Sequence, residues 1–190
     1  MSTSLIITII VVAVVVIAII AVAAFVLRRR KQQQEERQRE ARREFGPEYE
    51  RAAEEHGSER KAEKELRERR EKVEQEIRSL PEESRERLDE RWQNVEKTFV
   101  DDPKRALDEA DAVVADILKE RNFPADSREE ENRNVGVTYP GIVEDFREAR
   151  RVHEEATGRG GGDSDRESDL EHMRQAIQKY RSVYERLSEK

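Results

Sequence analysis

The histidines are the first residues to consider for chemistry, because an imidazole can bind metals and transfer protons near neutral pH. The chain has three of them, His56, His153 and His172. The run from His153 to Thr157 begins like the zinc-protease motif, but Thr157 stands where the second histidine ligand is required. The motif fails at that position, so we interpret all three histidines as surface or boundary residues.

Two other patterns approach a functional motif without completing it. The glycine-rich stretch 158–162 is not followed by Gly-Lys-Ser/Thr and does not predict a phosphate-binding loop. Acidic pairs such as Glu82/Glu83 fall in the first turns of predicted helices, where negative charge favours the helix dipole. The chain has no cysteine, which excludes disulfides, zinc–thiolate sites and cysteine nucleophiles. We predict no enzyme, no catalytic residue, no metal site and no cofactor.

The segment 5–27 is the clearest element that the residues predict. Its 23 positions contain one polar side chain, Thr8. As a helix the segment is about 35 Å long, enough to cross a hydrocarbon core of about 30 Å. We predict a transmembrane helix over 5–27 that contacts the lipid bilayer, after a short external N-terminus at 1–4. A cleaved signal peptide is the weaker interpretation, because the segment is too long and no basic residue precedes it.

Charge predicts the orientation and two of the partners. Four cations follow the apolar segment directly: Arg28, Arg29, Arg30 and Lys31. Cytoplasmic flanks carry such an excess, so we place the N-terminus outside the plasma membrane and the C-terminal domain in the cytoplasm. We expect anionic lipid headgroups to bind near these cations. From 28 to 43 the net charge is +5, whereas the remainder carries 29 basic against 41 acidic residues, a net of −12. The acidic balance argues against nucleic-acid binding.

Apolar residues recur at helical spacing from residue 45 onward, so we predict an all-α fold. A basic juxtamembrane spacer at 28–44 leads to a charged amphipathic helical segment at 45–80. An acidic bundle follows at 81–190, with a flexible loop at 158–165. We predict about five soluble helices, with starts near Ser79, Asp102, Tyr139 and Ser168. The predicted structural core includes Trp92, Phe99, Leu107, Val114, Phe146 and Tyr180.

Four strings occur together in order: Phe45-Gly46-Pro47-Glu48-Tyr49, Arg91-Trp92, Phe99-Val100-Asp101-Asp102-Pro103 and Ala110-Asp111. With the N-terminal anchor, they make the chain resemble a group of uncharacterised bacterial single-pass membrane proteins of actinomycete type. The resemblance covers most of the chain from residue 45 to residue 187. The group has no assigned activity, so the resemblance supplies no functional residues.

These observations favour a membrane-tethered cytoplasmic interaction or scaffold module that binds an unknown protein partner with a basic surface. Three alternatives stay open. The first is a structural stalk resembling the membrane-anchored subunit of the ATP synthase peripheral stalk, although repeated prolines interrupt its helix. The second is an extracytoplasmic envelope protein, and the third is an enzyme or metal protein that uses acidic residues.

Overall fold

This computed structural model describes residues 3–158 and 166–189. Within these ranges, the side chains of 3–21, Arg30, 166 and 167 are not described. The described residues form helices joined by short connections and contain no strand, which confirms the all-α class. The helices are α1 (Thr3–Phe45), α2 (Pro47–His56), α3 (Glu59–Glu76), α4 (Glu82–Asp101), α5 (Pro103–Glu120), α6 (Arg128–Thr138), α7 (Val143–Gly158) and α8 (Arg166–Ser188).

The chain divides into two compact units, 1–43 and 44–190. The described residues of unit 1–43 belong to helix α1, which continues without a break through the predicted juxtamembrane spacer at 28–44. Within the predicted transmembrane segment 5–27, only the side chains of 22–27 are described. Among the residues that the structure describes, no helix is both long enough and apolar enough to cross a membrane.

Several helix starts follow local sequence signals. Gly46 has a positive φ of 54°, which an L side chain rarely adopts, and Pro47 then occupies the first helical position of α2. The Asp102 carboxylate accepts a 3.0 Å hydrogen bond from the backbone N–H of Arg105 and caps α5. The Ser127 hydroxyl accepts one from the N–H of Glu130 at the start of α6. These caps match the signals in the sequence.

The capping box predicted at Ser79 was wrong. Helix α4 begins at Glu82, after an extended Pro81 with ψ 146°, and the side chain of Ser79 does not cap it. The preceding connection is held extended by a tertiary pair of hydrogen bonds. The N–H of Arg78 donates to the Arg121 carbonyl at 2.8 Å, and the Arg121 guanidinium donates back to the Arg78 carbonyl at 3.1 Å. Long-range bonding therefore overrides the local signal.

The number of soluble helices was also underestimated, because unit 44–190 contains seven, α2 to α8, among its described residues rather than about five. Helix α6 was predicted only as a turn, since a glycine and three β-branched residues weaken its propensity. Burial of Val135, Gly136 and Val137 stabilises it instead. Helix α7 begins at Val143, three residues after the predicted Pro140, and the predicted loop at 158–165 lies outside the described residues apart from Gly158.

The main core of unit 44–190 is organised around α5, which packs against α4, α7 and α8. Eight α5 residues are buried, and the fully buried ones include Leu107 and Val114. Trp92, Phe146 and Tyr180 are buried from the neighbouring helices, whereas Phe99 is only half-buried and packs against the edge of the core. Helices α2, α3 and α6 pack against one another beside this core.

Candidate functional site

The motif from Phe45 to Tyr49 forms a junction between α2, α3 and α6. Phe45 and Tyr49 are almost completely buried. The Arg70 guanidinium of α3 lies over the Phe45 ring at 4.3 Å and donates a 2.7 Å hydrogen bond to the carbonyl of Val137. It also donates to the Glu44 carboxylate at 2.7 Å. Phe45 and Tyr49 therefore pack between helices and stabilise the fold.

Glu48 extends this junction to α7. Its side chain crosses Gly136 of α6 so closely that a Cβ at that glycine would lie 2.7 Å from both Cγ and Cδ of Glu48. The Arg147 guanidinium of α7 lies 2.6 Å from Oε1 of Glu48. This contact is an ion pair outside hydrogen-bond geometry, so Oε1 is buried without a hydrogen-bond donor from the described residues. The charge of the nearly buried Glu48 carboxylate is thus balanced by the Arg147 guanidinium.

A charged cavity of about 450 Å³ opens beside this pair, between α2, α3, α6 and α7. Its lining carries four arginines and four glutamates and has no net formal charge. The lining ions largely pair with one another: Arg69 donates to Glu65 at 2.7 Å, and Arg133 to Glu129 at 3.0 Å. A ligand of either sign would have to displace these pairs, so the cavity gives no electrostatic preference for a charged ligand.

Asp111 is the centre of a second polar group, a buried network that Arg150 links to the cavity-lining Asn132. The Tyr180 hydroxyl donates a 2.9 Å hydrogen bond to its Oδ1, and Arg128 donates to its Oδ2 at 3.0 Å. Arg150, which is 4% exposed, contacts the same carboxylate at 3.3 Å. Burial raises the pKa of the Tyr180 phenol well above its ordinary value, and the adjacent Asp111 raises it further.

His153 lies at the edge of this network. Its Nε2 is 2.8 Å from Asp108, and its Nδ1 is 3.8 Å from the Asp111 carboxylate. His56 ends α2 and His172 is exposed on α8, so the helices hold these two apart from the Asp111 network. No group of three metal-binding side chains exists in the part of the chain that the structure describes.

An apolar cleft of about 640 Å³ lies where the end of α4 meets the start of α8. In the described part of unit 44–190, two large apolar side chains are exposed, Val100 at 81% and Leu170 at 44%. Both line this cleft, with the half-buried Phe99 beside them. Exposed apolar groups that lie together are more informative than scattered ones.

Sequence reasoning assigned neither Val100 nor Glu48 a role, and it placed Leu170 on the buried face of the last helix. Val100 did carry a signal, because it is an apolar residue one position beyond the stripe of α4 that ends at Phe99. The pairing of Glu48 with Gly136 had no local signal. The cations Arg28 to Lys31, which were predicted to flank a membrane, lie in the other unit, on α1.

Comparison of the chain with models of protein families, with curated proteins and with solved structures finds no match. Its function is therefore inferred from its own surfaces. Of the three places described, the cavity and the Asp111 network are largely filled by internal ion pairs and hydrogen bonds, although the buried Oε1 of Glu48 and Nδ1 of His153 have no hydrogen-bond partner among the described residues. The apolar cleft is the place where exposed side chains have burial still to gain.

Proposed function

We propose that the protein is a membrane-tethered helical interaction module without catalytic activity. In this proposal, residues 5–27 span the plasma membrane with the N-terminus outside, and the cations from Arg28 to Lys31 contact anionic lipid headgroups. Unit 44–190 then faces the cytoplasm and binds a protein partner. The apolar cleft carries the proposal, because both exposed large apolar side chains described in this unit, Val100 and Leu170, line it.

The interaction is tested with the full chain, tagged at its C-terminus, in bacterial membranes. After chemical crosslinking, tagged wild-type protein should recover partner proteins that a tagged chain ending at Glu44 does not. The two proteins share the apolar segment and its cations, so the comparison isolates unit 44–190. Identical recovery from both would contradict the interaction function.

Membrane insertion and topology need separate measurements. A sodium carbonate wash should leave the full chain in the membrane pellet and release a chain that lacks residues 1–27. A C-terminal reporter that is active only outside the cytoplasm should be silent. Carbonate release of the full chain would contradict the tether, and an active reporter would favour the envelope-protein alternative.

A further inference from the structure

We propose that the apolar cleft between α4 and α8 docks a helical segment of a partner protein whose apolar side chains are flanked by lysine or arginine. This inference rests on the proposed interaction function and names the surface and the chemistry of the partner. Three features carry it: the concentration of exposed apolar groups, the shape of the cleft, and the charge of the unit around it.

The cleft has an anchored side and an open side. Phe99 is half-buried and packs against the main core, so it provides a fixed apolar surface. Val100 and Leu170 stand out from it and remain accessible. The cleft, of about 640 Å³, is open to solvent and is a shallow groove rather than an enclosed pocket. It suits one or two apolar anchors from a helix, as in helix-in-groove recognition.

Charge selects the class of occupant. The chain from residue 44 to its end carries a net charge of −12, so the long-range field of the unit opposes the approach of a second copy. An anionic bilayer surface is opposed for the same reason. A segment with cationic flanks is attracted instead, and its apolar residues then have a cleft to enter.

The polar groups at the cleft are compatible with such a segment. Glu171 and Arg174 line one edge and pair with each other, at 2.7 Å between Oε1 and Nη2. Asp101 and Asp102 follow Val100 and are exposed. Lys97 of α4 and Lys104 of α5 are also exposed, so the attraction comes from the unit's overall charge rather than from a local acidic patch.

The test uses a defined peptide and the full chain in neutral phosphatidylcholine nanodiscs. The peptide is about 14 residues long and helical, with two leucines four positions apart among lysine and alanine. A second peptide has glutamate in place of lysine. We expect the lysine peptide to bind at least about tenfold more tightly than the glutamate peptide, and raised salt to weaken it. Equal binding of the two peptides would overturn the inferred partner chemistry.

Amino-acid substitutions test whether the peptide binds in the cleft. Val100→Ser combined with Leu170→Ser should weaken the lysine peptide at least about tenfold. Gln93→Ser, an exposed change on the same helix α4, should leave its Kd within about twofold. Unchanged binding by the double variant overturns the cleft. If the double variant loses its helical circular dichroism, Val100→Ser alone decides by the same criterion.

Two further outcomes separate this inference from the proposed function. If the peptide fails but crosslinking in membranes still recovers partners, the cleft and partner chemistry are wrong and the interaction function stands. If both fail, the interaction function falls as well. Self-association of the wild-type chain that Val100→Ser abolishes would identify a second copy as the occupant and would overturn the basic partner.

Discussion

Glu48 and Gly136 show how closely single residues in this bundle depend on one another. The glutamate side chain occupies the space that a Cβ at Gly136 would need. We expect Gly136→Ala to lower the free energy of unfolding by about 1–3 kcal/mol, because the buried Glu48 side chain must move away from its ion pair with Arg147. Urea unfolding measures this change.

Gly141 provides the matched control, because a Cβ there would meet no atom within 4 Å. Gly141→Ala should change the free energy of unfolding by no more than about 0.5 kcal/mol. If the two alanine variants are equally stable, the close packing of Glu48 on Gly136 is contradicted.

The hydroxyl of Tyr180 is the second residue whose contribution can be isolated. It donates to the Asp111 carboxylate within the buried network. Tyr180→Phe should cost about 1–3 kcal/mol in unfolding free energy, because Asp111 loses a donor that water cannot easily replace. Tyr139→Phe, outside this network, serves as the comparison, and an equal loss in both variants would contradict the role of Asp111.

Glu171 offers a prediction on pH. Its hydrogen bonds from Arg174 lower the pKa of the carboxyl to about 2, from an ordinary value of 4.5. Because the folded pKa lies below the unfolded one, this contribution to stability is present above about pH 4.5 and is lost as the pH falls towards 2. NMR titration should show the low midpoint in the wild type, and Arg174→Gln should return it towards 4.5. An unchanged midpoint in the variant would disprove the pairing.

At the scale of elements, helix caps account for where several helices begin. Asp102 ends the turn after α4 and caps α5 through the N–H of Arg105. We expect Asp102→Ala to lower the unfolding free energy by about 0.5–2 kcal/mol, because that N–H loses its acceptor. The neighbouring Asp101, the last residue of α4, gives the control. If Asp101→Ala costs as much as Asp102→Ala, general charge rather than capping explains the loss.

Elements also show where local signals were insufficient. Asp102 and Pro103 predict the start of α5 correctly, because the Asp102 carboxylate and the Arg105 N–H that donates to it are only three residues apart. The start of α4 depends on Arg78 and Arg121, which are 43 residues apart. Helix α6 has a poor local pattern and forms because other helices bury its second half. A capping contact within one helical turn can be predicted from the sequence, but a contact with a residue on another helix cannot.

For the whole molecule, unit 44–190 has a hydrophobic core of its own. Its main core residues lie within 73–187, and the side chains of the N-terminal segment that are described, those of 22–27, are exposed. A chain lacking residues 1–27 should therefore keep the unfolding free energy of the full chain within about 0.5 kcal/mol, measured by urea titration with the full chain in nanodiscs. A larger loss would show that the segment stabilises the fold.

The sequence by itself determined the all-α class, the helix starts at Pro47 and Asp102, and the charge contrast between 28–43 and the remainder. These features depend on neighbours within a few residues or on composition. Tertiary structure alone decided that Val100 meets Leu170 in one cleft, and that Asp111 binds the Tyr180 hydroxyl 69 residues away. The physical reason is that burial and pairing depend on which helix faces become neighbours, and helical periodicity identifies an apolar face without identifying the face that covers it.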